Sequence, residues 1–235
     1  MISSLHVIGL TGGIASGKST VSRVLRRCGI PVLDADGLGH MVLEAGHPAR
    51  DAVIDAFGRD ILCADGVTID RLRLGHKVFD SPAERARLEA ITHPAIAALA
   101  KQGLALIADR GERLAVYEAA LLVETGIHRH LEGLIVVSTS LENQLERLRL
   151  RDGLSAKDAA TRIACQLPLA EKLNVADWVL ENNGDPADLS HRLHHKDARH
   201  YWFIGKMTLK KRLIGCDVLD RNSTLIRLEI NHAIH

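Results

Sequence analysis

The sequence is poor in several residue types, and each shortage argues against a class of function. Aromatic side chains make up only 3% of its 235 residues, which disfavours a surface that binds nucleic acid by base stacking. The four cysteines lie far apart, without a Cys-x-x-Cys pair, which argues against disulfides or structural zinc and indicates a reducing compartment. The formal net charge is only +1, so the whole chain does not favour a nucleic-acid or membrane partner.

We also expect neither a membrane-spanning segment nor a signal segment. We expect no apolar run long enough to cross a membrane. The first strand candidate, Leu5 to Leu10, follows the N-terminus without a basic region and an apolar signal segment. We therefore expect a cytoplasmic enzyme. A hydrophobic content of 46% is sufficient for one compact α/β domain with small inserted subdomains.

A glycine-rich stretch near the start fits the phosphate-binding pattern G-x-x-x-x-G-K-[ST] without a mismatch. An apolar run precedes it and apolar residues at helical spacing follow it, which predicts a strand, a loop and a helix. Such a loop offers backbone amides and a helix N-terminus to phosphates. We expect Lys18 to reach the β- and γ-phosphates of ATP and the Ser19 hydroxyl to bind Mg²⁺. A turn that binds nothing is the alternative. The predicted ATP-binding residues here are Gly12, Gly13, Ile14, Ala15, Ser16, Gly17, Lys18, Ser19 and Thr20.

Two acids end the next strand candidate. Asp34 and Asp36 are two residues apart, so in an extended strand they point the same way, and one of them could face a substrate hydroxyl. Helix-capping or turn aspartates are the alternative. A mostly helical insert follows, and Ile91 to Pro94 is predicted to separate two of its helices, because proline disfavours helix at the preceding residue. His93 is either a ligand contact or a helix-boundary residue.

The later part of the chain predicts the rest of a phosphoryl-transfer site. Glu118 ends a strand candidate, where a magnesium-organising carboxylate is expected. Gln144, Arg147 and Arg151 share one face of a predicted helix, which suits a lid that clamps phosphates, or else a solvated helix. A last strand begins at Trp178. The turn that follows it either contacts an adenine ring or only closes a loop.

These residues together resemble the dephospho-coenzyme A kinase family. The resemblance runs from about Val7 to Gly184 and rests on the order of its motifs. These are the Thr-Gly-Gly opening of the glycine loop, Asp34-Ala35-Asp36, His93-Pro94, Leu121-Leu122 with Glu124, Gln144 with Arg147 and Arg151-Asp152-Gly153, Arg162, Gln166, and Asn182 with Gly184.

The resemblance implies ATP-dependent phosphorylation of the ribose 3′-hydroxyl of dephospho-coenzyme A. It implies a P-loop kinase core with a five-stranded parallel sheet flanked by helices, and this core comprises about residues 1–37, 104–140 and 175–190. A helical coenzyme A-binding insert is expected in about 38–103, and a lid in about 141–174. Asp36 matches the family's proposed base, with Lys18 and Arg147 as further catalytic residues. Arg151 and Asn182 are expected at ATP and Glu118 at the metal. The expected substrate contacts are Asp34, His93, Pro94, Leu121, Leu122 and Glu124.

Two departures from the family stand out. The family usually has aspartate and proline where this chain has Glu118 and Ala120, so the acid is one methylene longer and the turn loses a rigid residue. Beyond about His191 the resemblance ends, and residues 191–235 form a basic extension of unknown role. A solvated appendage is expected there, and a nucleic-acid contact is the alternative.

Two other functions remain open from the sequence. One is another P-loop kinase of small molecules or nucleotides. The other is a nucleotide-binding switch without transferase activity, although no Asn-Lys-x-Asp sequence for guanine is found. We expect a monomer that binds ATP and dephospho-coenzyme A, and neither membrane nor nucleic acid.

Overall fold

The computed structural model describes residues 5–79 and 81–184. The predicted basic extension from residue 191 onward lies outside the described residues. Within them the five strands form one sheet in the order β2-β3-β1-β4-β5. β1 pairs in parallel with β4, and β4 with β5, with Val136 opposite both Thr11 and Val179. The strands are β1 (His6–Gly12), β2 (Val32–Asp34), β3 (Leu114–Glu118), β4 (Leu134–Ser138) and β5 (Trp178–Glu181).

Helices connect these strands. Every residue of β4 is buried, as expected of a central strand covered on both faces. The predicted α/β class with a five-stranded parallel sheet flanked by helices is therefore confirmed. The helices are α1 (Lys18–Arg27), α2 (Ala35–Met41), α3 (Pro48–Phe57), α4 (Arg71–Phe79), α5 (Pro82–Asp109), α6 (Leu141–Asp152), α7 (Ala156–Ala164) and α8 (Leu169–Asn174).

The described chain divides into two compact units. The first contains Leu33–Ala119 and therefore helices α2 to α5. Its apolar core includes Val53, Phe57 and Ile61, which are at most 6% exposed. An antiparallel bridge between Leu62 and Ile69 closes the loop before α4. The unit thus has a hydrophobic core of its own, built mainly by the helices that follow β2.

Helix α5 corrects the prediction of two helices separated at Ile91 to Pro94. It is continuous over 28 residues, and Pro94 lies inside it. Its start follows the usual rules, because the Ser81 hydroxyl accepts from the Glu84 amide and Pro82 occupies the first turn. Packing against α2, α3 and α4 explains why the helix continues through the proline. His93 is consequently a helix-interior residue rather than a boundary residue.

Helix α5 also bears on the expectation that no segment could cross a membrane. By length and composition alone, it is long and apolar enough to do so. A mostly buried core helix of a soluble protein passes the same test, but only 11% of the apolar window of α5 is buried, although the helix packs against three other helices of its unit. Its apolar character is therefore weak support for a membrane segment.

The two acids at the end of β2 and the start of α2, Asp34 and Asp36, differ from their predicted arrangement. They do not share an extended strand, because β2 ends at Asp34 and α2 begins at Ala35. The Asp34 carboxylate accepts a 2.9 Å hydrogen bond from the Gly37 amide and caps α2, whereas Asp36 lies within its first turn. Local capping chemistry favours the helix here, since an aspartate at this position satisfies an otherwise free amide.

The second unit contains Val7–Val32 and the residues from Ala120 onward. It includes the glycine loop between β1 and α1, strands β4 and β5, and helices α6 to α8. Ser140 and Ser155 cap α6 and α7, where their hydroxyls accept from the amides of Asn143 and Asp158. These caps define where each helix begins.

Candidate active site

The loop between β1 and α1 has the backbone that the phosphate-binding motif requires. β1 ends at Gly12 and α1 begins at Lys18. Gly17 has a φ of 98° and Ala15 a φ of 57°, both in the left-handed region. A residue with a Cβ rarely adopts such a φ, so Ala15 is held there by its surroundings. Turn hydrogen bonds close the loop, from the Ser16 amide to the Gly13 carbonyl (3.1 Å) and from Thr20 to Gly17 (3.0 Å).

Close packing accounts for the first two glycines of the loop. A Cβ on Gly12 would overlap the Val137 carbonyl oxygen, and a Cβ on Gly13 would overlap the side-chain amide of Gln144. A side chain at Gly12 would require the backbone to move, whereas one at Gly13 would displace the Gln144 side chain and its hydrogen bond to Ile14. The loop is thus pressed against β4 and α6, and this explains the glycines at both positions.

Two glutamines hold Ile14 at both of its backbone polar groups. The Gln144 amide donates to the Ile14 carbonyl at 2.8 Å. The Ile14 amide donates to Oε1 of Gln166 at 2.7 Å. Because Gln144 lies on α6 and Gln166 follows α7, the loop is fixed from two separate segments. Both bonds restrict the backbone next to the strained Ala15.

Both backbone polar groups of Ser16 are hydrogen-bonded, whereas its hydroxyl is not bonded to any described residue. Its carbonyl accepts a 2.8 Å hydrogen bond from Nδ2 of Asn182, which is only 2% exposed. Its hydroxyl is buried and has no hydrogen-bond partner among the described residues. Buried polar groups normally have a partner, so a group that the protein itself does not supply is indicated here. An oxyanion in the loop, such as a phosphate oxygen of ATP, has the acceptor chemistry that fits.

The residues at the start of α1 differ in exposure. Lys18 is half-buried, and Ser19, in the first turn, is exposed. The described residues contain no cluster of three or more histidine, cysteine or acidic side chains that would form a metal cage. Mg²⁺ does not need one, since it is usually bound by one or two protein ligands together with substrate phosphates and water. The Ser19 hydroxyl fits such a limited contribution.

Arg147 contacts backbone oxygens of the second unit. Its guanidinium donates to the carbonyls of Gly184 at 2.9 Å, Asn182 at 3.1 Å and Ala15 at 3.4 Å. It therefore joins the glycine loop to the chain after β5. The predicted catalytic contact of Arg147 with phosphate stays a prediction. Asn182, which is expected to bind ATP, donates from its side-chain amide to the Ser16 carbonyl.

Arg151 lies in a different environment from the other two residues of its predicted helix face. Gln144 is buried and Arg147 half-buried, whereas Arg151 is exposed and forms a bidentate pair with Asp152 (2.7 and 2.9 Å). Arg162 also donates to Asp152, at 3.1 Å. The hydrogen bond from Arg151 is the main cause that lowers the pKa of Asp152, and the same bond raises the pKa of Arg151. Arg151 therefore keeps its positive charge at neutral pH.

In the first unit, Asp36 lies near a tyrosine that the sequence did not single out. Asp36 is exposed, and Tyr117 is a buried residue of β3. Burial raises the pKa of Tyr117, and the negative charge of Asp36 raises it further. The phenol therefore stays protonated at neutral pH. Glu118, the predicted metal ligand, ends β3 with 8% exposure.

The predicted substrate contacts fall at several places. His93 and Pro94 are exposed on α5, and Asp34 caps α2. Leu121 is 45% exposed, whereas Leu122 is fully buried in the core. Glu124 forms an ion pair of 2.7 Å with Lys172. Their contacts with substrate stay predictions.

Comparison with known proteins matches this architecture to one enzyme family. The family model for dephospho-CoA kinase (CoaE) matches residues 6–188. The chain is 45% identical over 197 residues to the dephospho-CoA kinase of Geobacter sulfurreducens, covering 84% of this chain and 100% of the relative. It is 49% identical over 179 residues to that of Geobacter metallireducens, covering 76% of this chain and 88% of the relative.

The chain belongs to the dephospho-CoA kinase family.

Solved structures agree with this assignment. The structure titled TT1252 from Thermus thermophilus has a TM-score of 0.71 and 32% identity, covering 92% of this chain and 100% of that one. Dephospho-CoA kinase from Campylobacter jejuni has a TM-score of 0.53 and 28% identity, covering 79% of this chain and 92% of that one. The enzyme is an ATP-dependent kinase, and its reaction is the final step of coenzyme A biosynthesis. The expected family and function are thus confirmed.

The kinase site contains groups that the sequence interpretation did not assign to it. Gln144 and Gln166 hold the glycine loop, yet their roles depend on contacts with Ile14 that span 130 and 152 positions of sequence. Tyr117 lies near Asp36, and the buried Lys172 pairs with Glu124, which is exposed. Gln144 and Gln166 appear in the family resemblance and could have been chosen from it. Nothing in the sequence distinguishes Lys172 from a surface lysine.

Proposed function

We propose that this dephospho-CoA kinase binds Mg·ATP in the loop from Gly12 to Thr20. The observation that carries this proposal is the buried Ser16 hydroxyl without a partner among the described residues, inside a loop whose backbone is already held by side chains. Such a loop supplies backbone donors that need no reorganisation when the phosphates arrive. Lys18 adds a positive charge at the β- and γ-phosphates.

The acceptor is the ribose 3′-hydroxyl of dephospho-coenzyme A, and Asp36 is its base. Oxygen of the hydroxyl forms a bond to the γ-phosphorus while the bond from that phosphorus to the β,γ-bridging oxygen breaks, and ADP leaves. The hydroxyl proton passes to the Asp36 carboxylate, which is exposed to solvent and can release it. Protonated Tyr117, near Asp36, can donate a hydrogen bond in the same region.

Magnesium, held by Ser19 with Glu118 as the candidate carboxylate, would neutralise phosphate charge as the phosphoryl group moves. Arg147 and Arg151 are proposed to contribute positive charge from the lid. The helical insert (38–103), with His93 and Pro94, is proposed to bind the coenzyme A portion together with Asp34, Leu121 and Leu122. The core, insert and lid boundaries given above are part of this proposal.

The cellular setting is proposed from cysteine chemistry and charge. Cys28, Cys63 and Cys165, the cysteines within the described ranges, form no disulfide. This supports a cytoplasmic, reducing location.

We propose that the protein is a monomer, and light scattering during size-exclusion chromatography measures its mass directly. A dimer mass at micromolar concentration would contradict it.

Asp36→Asn tests the proposed base. The amide keeps the shape of the side chain but accepts no proton, so kcat should fall by about 10²- to 10⁴-fold while the Kd for ATP stays unchanged. Asp55→Asn is the matched control, because Asp55 is an exposed acid on α3. A kcat for Asp36→Asn within twofold of the control would exclude Asp36 as the base.

A further inference from the structure

A lysine buried in the second unit has no part in the proposed chemistry. Lys172 of α8 is 0% exposed and has the largest of the fully buried side chains among the described residues. Burying an ammonium group costs free energy unless it is paired and hydrogen-bonded. Here its Nζ lies 2.7 Å from Oε1 of Glu124 and donates to the Ala120 carbonyl at 2.9 Å. Both partners belong to the segment after β3.

The Ala120 contact connects Lys172 to the strand that leads into the glycine loop. The Ala120 carbonyl also accepts a 3.2 Å hydrogen bond from the Thr11 hydroxyl. Thr11 is the last residue before Gly12, and it is completely buried. A turn in which Ala120 stands in place of the family's usual proline is thus held by two side chains from separate parts of the unit.

The Glu124 contact connects Lys172 to the other side of the loop. Oε1 of Glu124 accepts from the Leu167 amide at 3.2 Å as well as from Lys172. Leu167 directly follows Gln166, whose side chain accepts from the Ile14 amide. A continuous series of contacts therefore runs from Thr11 through Lys172 and Glu124 back to Ile14.

We propose that the Lys172–Glu124 pair is a positioning device that keeps the glycine loop in its ATP-binding conformation. The proposal rests on the assignment of this loop to the ATP phosphates. Ala15 is in the left-handed region, and such a backbone persists only where neighbouring contacts over-determine it. Without the pair, Gln166 loses its anchor, the loop populates other conformations, and ATP has to restore the competent one on binding.

This role differs measurably from the one that family resemblance implies for Glu124. A direct contact with dephospho-coenzyme A would affect the KM for that substrate. A positioning role acts through the loop and affects the KM and Kd for ATP, while kcat at saturating ATP and the KM for dephospho-coenzyme A change little. The two roles are therefore separated by which KM moves.

The experiment compares Lys172→Met and Gln166→Ala with Lys157→Met. Lys157 is an exposed lysine of α7 and controls for loss of a positive charge. Kinetics are measured well below the lowest melting temperature. For Gln166→Ala, which removes one hydrogen bond near the surface, we expect the Kd for ATP to rise about three- to tenfold at unchanged melting temperature. Lys172→Met should raise it at least as much and also lower the melting temperature.

The double variant Lys172→Met/Gln166→Ala should cost less in ATP affinity than the sum of the single variants, because both act on one series of contacts. Unchanged ATP affinity in Gln166→Ala would overturn the proposal even if Lys172→Met failed to fold. A Lys172→Met enzyme with a lower melting temperature but normal ATP affinity would overturn it too. Lys18→Ala tests separately the assignment of the glycine loop to the ATP phosphates. Normal ATP binding by Lys18→Ala would mean that this assignment is wrong.

Discussion

Replacing Arg147 by alanine distinguishes a structural role from direct contact with phosphate. The guanidinium donates to the Gly184 and Asn182 carbonyls at 2.9 and 3.1 Å, and two longer contacts reach Ala15 and Thr139. A hydrogen bond from a charged group contributes about 1.5–3 kcal/mol, and we take about 1 kcal/mol for each of the two shorter bonds because Arg147 is half-buried. The longer contacts add little. Arg147→Ala should therefore lower the free energy of unfolding by about 2 kcal/mol.

Urea unfolding of Arg147→Ala and Arg149→Ala measures this difference. Arg149 is exposed on the same helix, so its removal should change stability by less than about 0.5 kcal/mol. In thermal unfolding, the melting temperature of the Arg147 variant should lie about 4–8 °C below that of the Arg149 variant. An equal midpoint for both variants, combined with a large loss of kcat in Arg147→Ala alone, would refute the structural role and favour a contact with phosphate.

Three further substitutions follow from the structure. Gly12→Ala should weaken ATP binding by more than about tenfold, because the new Cβ overlaps the Val137 carbonyl. Gly75→Ala is the control, because its Cβ meets open space and should leave ATP affinity unchanged. Equal ATP affinities of the two variants in a titration would contradict this prediction. Pro94→Ala should stabilise the protein by about 2 kcal/mol in urea unfolding, since proline inside a helix lacks a donor; a destabilised variant would contradict it. The Thr68 hydroxyl and the Val67 and Thr68 amides lower the pKa of Asp65 from 3.8 to about 2. The free energy of unfolding of wild type should therefore exceed that of Asp65→Asn by a difference that is complete above about pH 5 and disappears as the pH falls towards 2. A stability difference that does not depend on pH would contradict this prediction.

Much of the fold could be predicted because its signals are local. The glycine motif predicts a strand before it and a helix after it, and the sequence predicts a last strand from Trp178, which is where β5 begins. The spacing of Asp34 and Asp36 predicts one extended strand, because spacing alone does not show that an aspartate caps a helix. Pro94 predicts a break between helices because the packing against neighbouring helices that sustains α5 is not a local property.

The support of the glycine loop was harder to predict for a physical reason. Ile14 is held by glutamines that the fold brings together from distant segments, and no periodicity marks such a pair. Lys172 belongs to a residue type that is almost never fully buried unless paired, and its partner Glu124 lies in another element. Local chemistry thus predicts where the phosphate binds, and tertiary contacts decide how the loop is held.

The central claim is that this kinase transfers phosphate from ATP to dephospho-coenzyme A. A coupled ADP-release assay that compares dephospho-coenzyme A with AMP and other acceptors tests it directly. We predict rapid ADP release with dephospho-coenzyme A, with a product phosphorylated on the ribose 3′-hydroxyl, and little release with AMP. Phosphorylation of AMP with no turnover of dephospho-coenzyme A would contradict the claim.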